Sequence, residues 1–189
     1  MKKLRVGLAL TGSFCTFDRA ISAFEALGDD FDLTAIMSET AFSTDTRFGR
    51  AQDFADRLTS LTGREVIHTI AGAEPIGPSG MFDVLAIAPC TGNTLAKLSL
   101  GITDSCVTMA AKSHLRNGRP LLVAVSTNDG LAASARSIGT LLIKKNVYFL
   151  PFYQDDPANK PTSLVSRYEL LRPALEAAHE GRQLQPMIG

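Results

Sequence analysis

The chain has 189 residues, of which 45% are hydrophobic and 20% are charged, with 19 Lys and Arg residues balanced by 19 Asp and Glu residues. This length and composition are typical of one globular domain, which we predict to span residues 1–189. A net charge of zero without a basic stripe argues against nucleic acid as a partner, and no apolar run is long enough to cross a membrane. Three cysteines without metal-type spacing are typical of free thiols, so we expect a cytoplasmic protein with no metal site.

Five short apolar runs predict the strands of a parallel sheet. They are rich in Val, Ile, Leu and Ala, as strands covered by helices on both faces require. In chain order the runs are Val6–Leu10, Leu33–Met37, Val84–Ala88, Leu121–Val125 and Val147–Phe152. A weaker strand signal lies at Val66–His68, inside a stretch whose Pro and Gly residues indicate loop.

Helical periodicity predicts a helix between each pair of strands. The first helix begins near Phe17 and is closed by Gly28, and the second begins at Ala51 and is closed by Gly63. Further helices are predicted over 92–100, 106–115, 132–144 and 164–180. This alternation of strand and helix predicts an α/β fold with a doubly wound parallel sheet.

Polar loops follow four of the predicted strands. Ligands of an open parallel sheet bind beyond the carboxyl ends of its strands, so these loops are where a site is expected. The first loop is compatible with a phosphate-binding turn and, equally, with a turn closed by a serine cap. Four polar loops at one edge favour a binding crevice over four independent caps. Their small polar residues include Gly12, Ser13, Ser38, Thr91, Asn93, Thr94, Ser126, Thr127 and Asn128.

Motifs in these loops carry a resemblance to a known family. The broader motifs are Ser38-x-x-Ala41, Ala88-Pro89-x-Thr91-x-Asn93-Thr94-x-Ala96-Lys97-Leu98 and Gly101-Ile102-x-Asp104. They resemble the flavin-binding fold shared by phosphopantothenoylcysteine decarboxylases and flavin prenyltransferases. The narrower motifs are Thr46-Arg47-Phe48-Gly49, Ala110-Ala111-Lys112, Ser126-Thr127-Asn128-Asp129 and Phe152-x-Gln154-Asp155-Asp156-Pro157. Together they are similar to the family of dipicolinate synthase B subunits.

The resemblance implies a three-layer, flavodoxin-like or Rossmann-like protein that binds FMN and forms homo-oligomers. It also implies a partner, the dehydrogenase-like A subunit of dipicolinate synthase, through which NAD(P) would be supplied. The two proteins would convert dihydrodipicolinate to dipicolinate in the mother cell of a sporulating bacterium. The flavin would contact Gly12, Ser13, Ser38, Thr91, Asn93, Thr94, Ser126, Thr127 and Asn128. Two alternatives stay open: a catalytically silent partner of the A subunit, and a flavin-dependent decarboxylase.

A dicarboxylate substrate requires cationic side chains in this crevice. Arginine suits the task because its planar fork binds a carboxylate through two hydrogen bonds. Arg47, in a polar loop beyond the second strand, is the first candidate, and an internal ion pair with Asp45 is the alternative. Lys112 and Lys160 are weaker candidates for the same role.

The sequence assigns no catalytic acid or base. His114 and His179 are predicted to lie on helix surfaces, and His68 lacks the motif that surrounds the catalytic histidine of the decarboxylases. The aromatic segment 151–153 is predicted to be an exposed docking edge for the partner protein, since aromatic residues concentrate in interface cores.

Overall fold

A computed structural model describes residues 3–189. Its strands are β1 (Leu4–Leu10), β2 (Phe31–Met37), β3 (Val84–Cys90), β4 (Leu121–Thr127), β5 (Val147–Phe149), β6 (Phe152–Tyr153) and β7 (Leu164–Ser166). Its α-helices are α1 (Phe17–Glu25), α2 (Glu39–Ser43), α3 (Ala51–Thr62), α4 (Ile70–Ala73), α5 (Gly92–Leu100), α6 (Cys106–Arg116), α7 (Ala135–Leu142) and α8 (Leu171–His179). No helix within residues 3–189 is long and apolar enough to cross a membrane.

The strands form one mixed sheet that is mostly parallel. β2, β1, β3, β4 and β5 lie side by side in that order and run in the same direction. This order is the flavodoxin-like one, in which the winding direction of the chain reverses between β1 and β3. The predicted doubly wound, three-layer α/β fold is therefore confirmed, and its ligand crevice is expected beyond the carboxyl ends of β1 and β3.

Two apolar cores lie on opposite faces of the sheet. Residues of α1, α3 and α8 pack on one face, and residues of α4, α5, α6 and α7 pack on the other. Successive strand residues alternate between the cores, as Leu8 and Ala9 of β1 do, because side chains along a strand point to opposite faces. Every residue of β3 is buried. The loops beyond β1, β3 and β4 are consequently held on a well-packed edge.

The C-terminal segment departs from the predicted helix over 164–180. Residues Leu164–Ser166 form β7, a 3-10 turn covers Tyr168–Leu170, and only then does α8 begin. β7 runs antiparallel to both β4 and β6, with Val165 paired to Ser126 on one side and to Tyr153 on the other. A partner distant in sequence thus decides the conformation of a stretch whose apolar spacing also suits a helix.

Two smaller expectations also fail. His114 is only 1% exposed, and since a carbonyl can only accept, its Nε2–H donates to the Pro120 oxygen at 2.9 Å. Pro151 and Phe152 are buried, with Phe152 only 4% exposed, so they form no docking edge.

The weak strand signal at Val66–His68 corresponds in the structure to an isolated parallel bridge between Ile67 and Ile36.

Candidate functional site

Hydrogen bonds tie three of the polar loops together at the carboxyl edge of the sheet. Thr11 is only 2% exposed, and its hydroxyl donates to the Pro89 carbonyl at 2.9 Å and accepts the Thr91 N–H at 3.0 Å. It therefore fixes the end of β1 against the end of β3. Ser13 and Ser126 join the loop after β1 to the end of β4 through hydroxyl oxygens 2.7 Å apart.

The Ser13 hydroxyl does not cap the helical turn that follows it. That turn has no side-chain cap, and the Ser13 side chain is directed to Ser126 instead. The Thr16 hydroxyl donates to the Ser13 carbonyl at 2.8 Å and lies 3.3 Å from the Ser126 hydroxyl oxygen. Thr16, which sequence reasoning did not assign to the site, completes a cluster of three hydroxyls.

The starts of α2 and α5 supply capped helix termini to the same edge. Ser38 accepts the Ala41 N–H, and Thr91 accepts the Thr94 N–H, each at 3.2 Å. The first N–H groups of a helix, which in α5 include those of Gly92 and Asn93, have no partner inside the helix. They carry the positive end of the helix dipole, so this terminus is suited to an anion.

A polar trio packs against the first residue of α5. Asp129 accepts hydrogen bonds from the hydroxyls of Thr127 at 2.5 Å and Ser134 at 2.8 Å, which hold the pKa of its carboxyl below the usual range. A Cβ added to Gly92 would lie 2.6 Å from Ser134 Oγ and less than 3 Å from oxygens of both other residues. Glycine at this position therefore leaves room for the trio. Neither Asp129 nor Ser134 was assigned to the site from the sequence.

Two adjoining clefts open at this edge, and Gly12 and Thr91 line both. Cleft A has a volume of about 370 Å³ and cleft B a volume of about 600 Å³. Besides the shared residues, the predicted site residues in cleft A are Ser13, Ser126, Thr127 and Asn128. Those in cleft B are Ser38, Asn93 and Thr94. All nine predicted cofactor residues thus line one of two neighbouring clefts.

The acidic residues of cleft B already have partners. Asp104 lies 2.8 Å from the Lys97 ammonium, whose proximity lowers the pKa of the Asp104 carboxyl. Glu39 Oε1 accepts the Cys106 N–H at 2.8 Å, at the start of α6. An anion in cleft B would therefore depend on hydroxyl and N–H donors rather than on an unpaired cation.

The two predicted substrate residues lie in different surroundings. Arg47 is exposed, and its guanidinium lies 4.8 Å from the centre of the Phe48 ring, which itself lines cleft A. Its alternative partner, Asp45, instead accepts the Ala51 N–H at 2.8 Å at the start of α3. Lys112 is exposed on α6 and lines neither cleft.

His68 also lies outside the lining of the two clefts. Its ring stacks on Phe42 with 3.8 Å between the ring centres and 3° between the planes. Residues 3–189 contain no group of three or more His, Cys, Asp or Glu side chains that could hold a metal ion.

Comparison with protein-family models matches residues 1–144 to the family described as flavoprotein. Among curated proteins, the dipicolinate synthase B subunit of Bacillus subtilis (strain 168) is 40% identical over 189 residues, which are 100% of this chain and 94% of that protein. The match therefore includes every residue of the two clefts.

Solved structures agree with this relationship. The crystal structure of the dipicolinate synthase B subunit from Bacillus halodurans has a TM-score of 0.90 at 40% identity, and the match covers 100% of this chain and 98% of that one. The DmrB protein of Burkholderia xenovorans, solved in complex with FMN, has a TM-score of 0.69 at 20% identity, covering 92% and 94% of the two chains. The second match shows a shared fold.

Proposed function

The chain belongs to the flavoprotein family and, within it, to the family of dipicolinate synthase B subunits, and from this premise we propose that it is one component of dipicolinate synthase. Together with a dehydrogenase-like A subunit, it converts dihydrodipicolinate to dipicolinate during endospore formation, in the mother-cell cytoplasm. The observation that carries this proposal is the 40% identity over the full chain to the Bacillus subtilis protein.

FMN is the proposed cofactor, and the donors of the two clefts fit it. Its phosphate requires hydrogen-bond donors, which the start of α5, the Gly12–Ser13 turn and Ser38 supply without an unpaired acid nearby. The ribityl chain and ring edge carry hydroxyl, carbonyl and N–H groups that suit the remaining polar side chains, Thr91, Asn93, Thr94, Ser126, Thr127 and Asn128. When bound, FMN supplies a two-electron acceptor for hydrogen removed from the substrate ring.

In this proposal the residues of the chain bind the cofactor and the substrate and fix their orientation. Thr11 holds the turns after β1 and β3 against each other, and the hydrogen-bonded Ser13 and Ser126 line cleft A. Arg47 recognises a substrate carboxylate from beside cleft A, where it lies over Phe48, a lining residue of the cleft. Lys112 is the weaker candidate for a second carboxylate contact, because α6 carries it away from both cleft linings.

A partner protein is part of the proposal for a chemical reason. Dehydrogenation needs a hydride acceptor, a base for the departing proton and a route by which the acceptor is reoxidised. The chain has no Gly-x-Gly-x-x-Gly turn for a nicotinamide cofactor, so NAD(P) would enter through the A subunit. Association of the chain with copies of itself is also proposed, and the exposed apolar side chains of Leu100 and Ile143 are ones that such an interface would cover.

The test measures dipicolinate formation from freshly generated dihydrodipicolinate with NAD(P) present. Each of the two proteins is assayed alone and then both together, and the absorption spectrum of the purified chain reports its flavin. We expect full activity only in the mixture. Full activity from this chain alone would contradict the need for a partner, and full activity from the dehydrogenase-like protein alone would favour a silent, substrate-holding role.

A further inference from the structure

The loop between β6 and β7 forms one wall of cleft A. Asp155, Lys160 and Ser163 of this loop line the cleft together with Gly12 and Ser13 of the turn after β1. Among the described residues that line cleft A, Lys160 is the only one with a positive charge. A negatively charged ligand in cleft A would therefore meet one cationic side chain, that of Lys160, among the lining residues.

The backbone of the loop is braced against the rest of the site. The Thr162 hydroxyl donates to the Asn128 carbonyl at 2.6 Å, and the Leu131 N–H donates to the Thr162 carbonyl at 2.9 Å. Within the loop, the Lys160 N–H donates to the Asp156 carbonyl at 2.7 Å, and the Lys160 carbonyl accepts the Ser163 N–H at 3.0 Å. The position of the Lys160 backbone is therefore fixed by hydrogen bonds on both sides.

The Lys160 side chain, in contrast, is only loosely paired. Its ammonium lies 3.6 Å from Asp155 Oδ2, and the two side chains are 54% and 31% exposed. This separation exceeds the usual length of a charge-assisted hydrogen bond, and ion pairs with this exposure contribute little to stability. A carboxylate entering cleft A could replace Asp155 at little cost.

We propose that Lys160 is a specificity-determining residue that binds one carboxylate of the substrate in cleft A, and that Asp155 is the counter-ion which that carboxylate replaces. This inference rests on the proposed function, which supplies a dicarboxylate with a six-membered ring as substrate. Arg47 does not itself line cleft A, but it lies over Phe48, which does, so a second cation stands beside the cleft for the other carboxylate. Phe14, Phe48 and Leu164 offer apolar surface to the ring between them.

The test is calorimetric titration of the FMN-saturated chain with pyridine-2,6-dicarboxylate. Lys160→Ala should weaken binding about three- to fivefold, the effect of losing one partly exposed charge pair. Lys145→Ala, which removes an exposed lysine at the amino-terminal edge of the sheet, is the matched control and should bind like the wild type. Asp155→Asn should tighten binding roughly two- to threefold, because it removes the competing carboxylate.

The outcomes separate the inference from the proposed function. Equal affinity of the wild type and Lys160→Ala would overturn the role of Lys160 and leave the proposed substrate in place. Failure of the wild type itself to bind the dicarboxylate would contradict the proposed substrate and the inference together. Tightening by Asp155→Asn that persists when Lys160→Ala is added would also overturn the inference, because Asp155 would then repel the ligand without acting through Lys160.

Discussion

The hydroxyl oxygens of Ser13 and Ser126 lie 2.7 Å apart, although 113 positions separate the two residues in the chain. The contact joins the turn after β1 to the end of β4, and in the sheet β3 lies between these two strands. It therefore passes across the carboxyl end of β3, where α5 begins. A ligand held by the start of α5 would meet the Ser13–Ser126 pair at a fixed distance, which makes Ser13 a sensitive position for ligand binding.

Ser13→Asp is expected to abolish FMN binding. The new carboxylate would stand where a phosphate or another anionic group is proposed to lie, and like charges in a partly desolvated cleft repel strongly. It would also lose the short hydroxyl contact with Ser126. FMN affinity is measured by titration of the apoprotein and followed by flavin fluorescence.

Ser22→Asp is the matched control for this variant. Ser22 is exposed on α1, and its hydroxyl accepts a hydrogen bond from Arg57 at 3.2 Å, so the same added charge meets a cation there. Normal FMN affinity is expected. Equal affinities for wild type and Ser13→Asp would mean that the flavin does not use this turn.

Gly92→Ala is expected to lower FMN affinity about tenfold while the fold is retained. The added methyl group would meet Ser134 Oγ at 2.6 Å, Thr127 Oγ1 at 2.8 Å and Asp129 Oδ1 at 2.9 Å, so the hydrogen-bonded trio must open. Breaking charge-assisted hydrogen bonds and moving the end of β4 costs on the order of 1 to 2 kcal/mol. Thermal unfolding and flavin titration are measured on the same sample.

Gly139→Ala provides the comparison, since it adds the same methyl group to a helix in open space. Apart from the backbone of α7 itself, no atom of residues 3–189 lies within 4 Å of the added Cβ, so the variant should be as stable as the wild type or more stable by up to about 1 kcal/mol. A Gly92→Ala protein that binds FMN as tightly as Gly139→Ala would show that the trio does not shape the site.

The parallel core of the fold was predictable because its signals are local. Apolar runs indicate β1 to β4. The capping residue Thr91 fixes the start of α5, and Gly101, in the left-handed conformation, fixes its end. β7 was missed because Val165 is held as a strand by residues from distant parts of the chain, Ser126 and Tyr153. Pairing of that kind leaves no signal in a window of neighbouring residues.

The candidate site was predictable to a similar degree. Small polar residues after parallel strands could be assigned to one edge from topology alone, and they line the two clefts. Thr11 and Asp129 were missed because their roles depend on which backbone groups and hydroxyls lie opposite them. Lys160 could not be ranked above Lys112 until the β6–β7 loop was placed over cleft A.

Arg47→Ala is expected to weaken binding of pyridine-2,6-dicarboxylate about five- to tenfold. The guanidinium is exposed, so solvent screening limits the loss to about 1 kcal/mol or slightly more. Arg47→Lys should recover only part of it, because an ammonium reproduces neither the planar fork nor the stacking on Phe48. Arg50→Ala, in the same loop, is the control. If both variants lose the same binding affinity, Arg47 contributes only its positive charge and makes no specific contact with the carboxylate.

The buried His114 is expected to make the stability of the protein depend on pH. Burial lowers the pKa of its imidazole to about 4, whereas an unfolded histidine has a pKa of about 6.5. Between these values the unfolded chain binds more protons than the folded one, so the free energy of unfolding falls as pH decreases from about 6.5 to 4. From pH 7.5 to pH 5 this contribution amounts to roughly 2 kcal/mol.

Urea denaturation at pH 7.5 and at pH 5 tests this expectation with His114→Gln, whose amide N–H can still donate to the Pro120 carbonyl but does not titrate. The variant should lose about 2 kcal/mol less stability than the wild type between the two pH values, whatever its stability at pH 7.5. His179→Gln, at an exposed position near the end of α8, should keep the full wild-type dependence. If His114→Gln loses as much stability as the wild type, the acid sensitivity arises from other groups, because a neutral buried amide has no proton to gain.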